Sequence, residues 1–82
     1  MKKVTVYSKN NCGSCMMVKK WLSLKNVSYD EINTDEKPEL LPYIMEISGA
    51  ATMPVIVVEG EHEQKSISIG YKPGQLAAMV GA

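Results

Sequence analysis

Lys9-Asn10-Asn11-Cys12-Gly13-Ser14-Cys15 holds both cysteines of an 82-residue chain, two residues apart. Ahead of it, Lys3 to Tyr7 is short and β-rich, with Val4 and Val6 on one face and Thr5 and Tyr7 on the other. Behind it, from about Gly13 to Lys25, Cys15, Val18 and Leu22 follow helical spacing, as do Met17, Trp21 and Leu24. The two thiols therefore stand at a strand-to-helix junction. The first amides of a helix are unpaired donors with a partial positive charge. A sulfur placed there is favoured as thiolate, the nucleophilic form. Cys12 stands at or just before the helix start and should feel this most. Cys15 lies about a turn further in and should be more covered. Lys9 adds a positive charge that can approach Cys12. The pattern assigns attack to Cys12 and resolution to Cys15.

Other readings of the pair stay open at this point. A structural disulfide across two residues closes a very small loop and stabilises little. A zinc site needs about four ligands, and beyond this pair the chain offers only His62 and carboxylates. Two unrelated core cysteines are the third possibility. A Cys-x-x-Cys in a β-then-α context favours redox chemistry over all three.

Composition narrows the class. At 82 residues the chain reads as one domain spanning 1–82. Nine basic and nine acidic residues balance, so neither nucleic acid nor an anionic membrane is indicated as partner. Two cysteines are too few for a secreted disulfide scaffold. Met1-Lys2-Lys3 lacks a following apolar region of signal-peptide length. No apolar run reaches the length of a membrane span. The expectation is a cytoplasmic monomer whose thiols cycle.

Further along, Val27 to Ile32 alternates as a second strand, broken by Asn33-Thr34-Asp35. Asp35 is expected to cap a helix over 36–48, with Pro38 in its first turn. Pro42 should kink that helix or delay its start, and Gly49 should end it. Val55-Ile56-Val57-Val58 reads as a strand buried on both faces. Glu59 to Glu63 is a charged turn with His62 at a solvated tip. Ser66 to Ile69 returns as a strand, Gly70 to Gly74 turns, and Gln75 to Val80 closes as a helix. The order is β-α-β-α-β-β-α. It predicts an α/β fold: a four-stranded mixed sheet with helices on both faces, the first two strands parallel through a right-handed crossover.

A Cys-x-x-Cys after the first strand, in this element order, resembles the glutaredoxin family of the thioredoxin fold over almost the whole chain. Lys9, Cys12 and Cys15 match the family's basic residue and redox pair. Met53-Pro54 matches its X-Pro element. The resemblance implies that this proline is cis and lies against the sulfurs, and that the preceding residue offers its backbone to an incoming peptide or thiol. Glutathione-using members usually carry Gly-Gly and a polar pair, often with Asp, before the last helix. Here the segment is Ile69-Gly70-Tyr71-Lys72-Pro73-Gly74. That is similar to the Gly-aromatic-basic-Pro signature of the NrdH-redoxin subgroup, and Asn33-Thr34-Asp35 fits the same subgroup. Two departures are Ser68, where that subgroup commonly has Trp, and the Gly13-Ser14 spacer, where it often has Val-Gln.

The resemblance implies a dithiol-disulfide oxidoreductase needing no cofactor. Its implied partners are thioredoxin reductase, which recharges it, and ribonucleotide reductase or another disulfide-containing protein. It places Met53, Pro54, Gly70, Tyr71 and Lys72 around the substrate. A glutathione-dependent glutaredoxin and a thiolate metal or iron–sulfur carrier remain the alternatives.

Overall fold

The sheet runs β2-β1-β3-β4 and puts the two most apolar strands, β1 (Lys3–Ser8) and β3 (Val55–Glu59), at its centre. The computed structural model describes residues 2–81, the side chain of Glu63 excepted. β1 pairs in parallel with β2 (Asp30–Asn33) and antiparallel with β3, which pairs antiparallel with β4 (Lys65–Ile69). Val55 to Val58 are all buried, as a strand covered on both faces requires.

Helices cover both faces. Val4, Val6, Ile56 and Val58 pack with Val18 and Leu22 of α1 (Gly13–Leu24) and Leu76 of α3 (Pro73–Val80). Tyr7, Val55 and Val57 pack on the other side with Ile44 of α2 (Leu41–Ser48) and with Cys12, Cys15 and Met53. The element order and mixed sheet agree with the sequence-based expectation.

The boundaries differ by two or more residues in three places, each for a local reason. The second strand starts at Asp30 rather than Val27. Val27 is engaged in ending α1: its N–H donates to the Leu22 carbonyl, and the Asn26 N–H to Ser23, with Asn26 at φ 58. This is the double bond pattern of a left-handed helix stop, and Val27 packs back on the Leu22 cluster as such a stop favours. The helix expected over 36–48 is instead a 3₁₀ turn, Pro38–Leu40, followed by α2. Pro42 thus falls in the first turn of α2, where its missing N–H leaves no bond unmade. Asp35 caps neither element; its carboxylate accepts from the Asn10 N–H instead. Finally, α3 opens at Pro73, two residues earlier than expected.

The stripe Met17-Trp21-Leu24 is mostly not core. Met17 and Leu24 are 48% and 72% exposed, because only the Cys15-Val18-Leu22 stripe of α1 meets the sheet. Trp21 lies between, half-buried against the core with the Lys25 ammonium over its ring. His62 is exposed in a 3₁₀ turn at the β3–β4 tip, as expected.

One polar link ties α1 to the sheet's edge. Glu31 Oε2 accepts from Lys19 Nζ at 2.9 Å and from the buried Ser8 hydroxyl at 2.8 Å. The Lys19 bond first, then the Ser8 bond, hold the Glu31 carboxyl below the usual carboxylate range. A folded-state pKa that is depressed adds stability above the unfolded value, lost as pH falls through the folded one. The pair is partly exposed, so its contribution is about 0.5 kcal/mol or less. Glu31→Gln should lower the urea midpoint slightly at neutral pH, and the difference should close on acidification below the carboxylate range.

Candidate active site

The sequence expected two sulfurs at a helix start, and the structure places them there as a disulfide. Cys12 and Cys15 are bonded, with Cα atoms 5.2 Å apart. Cys12 is the N-cap of α1. Its backbone is extended, its carbonyl accepts the Met16 N–H at 3.2 Å, and its Sγ accepts the Cys15 N–H at 3.1 Å. Sulfur here does what a serine or aspartate oxygen does at an ordinary N-cap. The Cys15 amide and the positive end of the helix dipole act on this atom, and α1 has no acidic residue in its first turn to oppose them. On reduction, the same N–H stabilises a thiolate better than a thiol, since hydrogen bonds to the charged form favour it.

Local chain geometry explains why the cap falls on Cys12. β1 ends at Ser8, whose carbonyl accepts both the Thr34 N–H and the Thr34 hydroxyl at 2.8 Å. Asn11 then adopts a left-handed conformation, φ 54, which Asn tolerates better than most residues. That turn reverses the chain so that Cys12 meets the helix axis. Cys12 is 8% exposed and Cys15 1%, so the N-cap sulfur is the more accessible of the two. Gly13 and Ser14 lie exposed between them.

The remaining candidates divide into three groups. Met53 and Pro54 are buried, the peptide bond between them is cis, and Met53 packs in the same cluster as both cysteines. Among the described residues, no loop or turn hydrogen bond engages the Met53 N–H or carbonyl. Gly70 joins this group through its N–H, which donates to the Pro54 carbonyl at 2.9 Å. Gly70 has φ 82, a conformation that a side chain would strain. Tyr71 and Lys72 follow but point to different surroundings. Tyr71 is half-buried against the cluster on the α1–α3 face, and Lys72 is exposed and caps α3. Lys9 is exposed and forms no hydrogen bond or ion pair among the described residues, so its side chain is not held beside Cys12.

Two features were not foreseen. Tyr7 shares the buried cluster with both cysteines and meets Tyr43 edge-on, with ring centroids 6.4 Å apart. Burial first, and then Tyr43, push the Tyr7 phenol above its ordinary pKa. It therefore stays neutral through the pH range in which thiols titrate. The second is Asn33-Thr34-Asp35, read from sequence as a strand breaker, which bonds to the loop before Cys12. Polar side chains directly after a parallel neighbour of β1 were the available signal, since such a loop must lie beside the first one.

Comparison with known proteins agrees with this geometry. The glutaredoxin family model matches residues 4–63. A glutaredoxin-like protein NrdH of Lactococcus lactis subsp. lactis is 45% identical over 76 residues, which cover 93% of this chain and 97% of that one. Glutaredoxin 3 of Escherichia coli is 32% identical over 62 residues, 76% of this chain and 75% of that one. Among solved structures, glutaredoxin from Archaeoglobus fulgidus superposes with a TM-score of 0.83 at 22% identity, covering 100% of this chain and 89% of that one. NrdH-redoxin from Escherichia coli superposes at 0.76 and 22% identity, covering 94% and 93%. These structural likenesses establish the thioredoxin-type fold.

Proposed function

This chain belongs to the glutaredoxin family, and on that premise we propose that it is a cytoplasmic, monomeric electron carrier recharged by thioredoxin reductase and discharged on ribonucleotide reductase. Its chemical class is thiol-disulfide oxidoreductase of NrdH-like type. Within the proposal, Cys12 and Cys15 are the catalytic pair, and Lys9, Met53, Pro54, Gly70, Tyr71 and Lys72 line the approach of the partner.

The reaction balances on the two cysteines alone. The Cys12 thiolate attacks one sulfur of a substrate disulfide, forms a mixed disulfide and releases the other sulfur as thiolate. The Cys15 thiolate then attacks Cys12 Sγ, restoring the Cys12–Cys15 disulfide and releasing the second substrate thiolate. Two electrons pass to the substrate, and its two thiolates take up two protons. The Cys12–Cys15 disulfide is the spent form, which a reductase dithiol must reopen. Met53 shares the buried cluster of the cysteines and has no loop or turn hydrogen bond among the described residues, which supports pairing of a substrate strand there as it presents its disulfide.

The observation that carries the choice of reductase is the segment after β4. A glutathione site must satisfy an α-ammonium and carboxylates, and unpaired polar groups cost affinity. From Gln64 to Ala82 the chain has no Asp or Glu to receive that ammonium. Tyr71 occupies the place of a small residue, its ring packed inward, and Pro73 lacks an N–H. Exposed Lys72, two residues after the Gly70 that bonds to Pro54, suits a protein rim better than a peptide pocket. The relative named as an NrdH protein is matched over almost its full length. The solved NrdH-redoxin from Escherichia coli is described as having a thioredoxin-like activity profile.

The test is a choice of electron source. With NADPH and thioredoxin reductase, the protein should turn over efficiently on a protein disulfide; with NADPH, glutathione and glutathione reductase, it should be slow. Lys72→Glu should raise the apparent KM for thioredoxin reductase severalfold. Rapid turnover with glutathione and none with thioredoxin reductase would leave an ordinary glutaredoxin. Ribonucleotide reductase as acceptor is tested by its single-turnover reduction with the reduced protein.

A further inference from the structure

The loop that leads into Cys12 is held by side chains from the loop after β2. The Asn10 N–H donates to Asp35 Oδ2 at 2.8 Å. The Asn33 amide donates through Nδ2 to Asn10 Oδ1 at 2.9 Å and accepts through Oδ1 from the Asp35 N–H at 2.8 Å. Each end of that amide thus has the partner its chemistry demands. Asn33 is itself braced, since its carbonyl accepts the N–H groups of both Glu36 and Lys37 at 3.1 Å. Pairing of β2 with β1 already ends at the Ser8–Asn33 level, so these side-chain bonds are additional to the sheet. They engage Asn10, one residue before the left-handed turn at Asn11 and two before Cys12.

We propose that Asn33 and Asp35 are positioning residues for the redox pair: by pinning Asn10 they hold the Asn11 turn that aims Cys12 Sγ at the Cys15 N–H. The inference rests on Cys12 being the attacking sulfur. It assigns to an exposed acidic residue a role opposite in sign to its charge. By charge alone, a carboxylate in a neighbouring loop disfavours a thiolate. By geometry, the same carboxylate fixes the loop that delivers the sulfur to its donor. The two effects can be separated, because Asn keeps an acceptor oxygen and loses the charge. Other titratable groups around the pair are untouched by such a change. They are Tyr7 in the sulfur cluster, Tyr43 against it, exposed Lys9, and Lys19 with Glu31, which pair with each other.

The experiment is the rate of iodoacetamide alkylation against pH in protein carrying Cys15→Ser, where Cys12 alone reports. A midpoint near the free-cysteine value of about 8.5 in that parent would defeat the reading of Cys12 itself, whatever Asp35 does. Given an acidic parent, Asp35→Ala should raise the midpoint by about half a pH unit or more, giving roughly threefold slower alkylation below it. Asp35→Asn should not raise it. A midpoint in Asp35→Ala at or below the parent's, or an equal rise in both variants, overturns the proposal. Far-UV circular dichroism checks folding. If Asp35→Ala does not fold, Asn10→Ala, an exposed change that removes only the Asn33 contact, should give a smaller rise, and an unchanged profile there overturns the proposal as well.

Discussion

Cys12→Ser is expected to abolish disulfide reduction, whereas Cys15→Ser should retain attack and accumulate a mixed disulfide with the protein substrate. The asymmetry follows from where each sulfur sits. Cys12 Sγ caps α1 and receives the Cys15 N–H, and it is the more exposed of the two. Cys15 lies within the helix, 1% exposed, with its sulfur bonded to Cys12. A thiolate must be both formed and accessible to attack, and the N-cap position and greater exposure favour Cys12 on both counts. Without Cys15 the second displacement has no nucleophile, so the covalent intermediate persists until an external thiol resolves it. Loss of turnover in either variant should be of several orders of magnitude, as expected when a nucleophile is removed. The check is non-reducing electrophoresis of each variant incubated with an oxidised protein substrate, followed by mass spectrometry of the trapped species. Trapping by Cys12→Ser instead would reverse the roles.

Much of this site was legible in the sequence because its signals are local. A Cys-x-x-Cys between a β-alternating run and a 3.6-period run fixes both the elements and the sulfurs at their junction. Gly49 as a left-handed helix end and Val55 to Val58 as a central strand were equally local. What could not be read was whatever depends on a contact between distant segments. Asp35 has the residue type and position of a helix cap, but it bonds to Asn10, 25 positions away. Val27 alternates like a strand residue, yet α1 needs it as a hydrophobic stop, and tertiary packing prevails over pattern there. Lys9 stands three residues from Cys12 in sequence, but proximity along the chain does not orient a flexible exposed side chain.

Leu22→Ala and Ile44→Ala should each cost about 2–5 kcal/mol of stability, yet only the second should move the redox potential. Both side chains are fully buried. Stabilities near 0.05–0.15 kcal/mol per residue imply a total of roughly 4–12 kcal/mol for a domain of this size, so either loss is severe. The urea midpoint should fall with the slope unchanged, and Tm should drop by about 10 °C or more. The potential is governed by a different quantity. It depends on how much more the folded state stabilises the disulfide form than the dithiol form, so a change felt equally by both forms cancels. Leu22 packs with Val4, Val6, Val18, Ile56, Val58 and Leu76, in a cluster separate from that of the sulfurs. Its loss should weaken oxidised and reduced protein alike. Ile44 belongs to the cluster of Tyr7, Cys12, Cys15 and Met53, in which the disulfide itself is part of the packing. Removing it should therefore weaken the two forms unequally. A difference of 1.4 kcal/mol between them is about 30 mV, within reach of equilibration against a thioredoxin or glutathione couple. Equal potentials for the two variants would mean that the sulfurs are insulated from α2. An altered potential in Leu22→Ala would mean instead that α1 transmits strain along its length from the far end of the core to the N-cap.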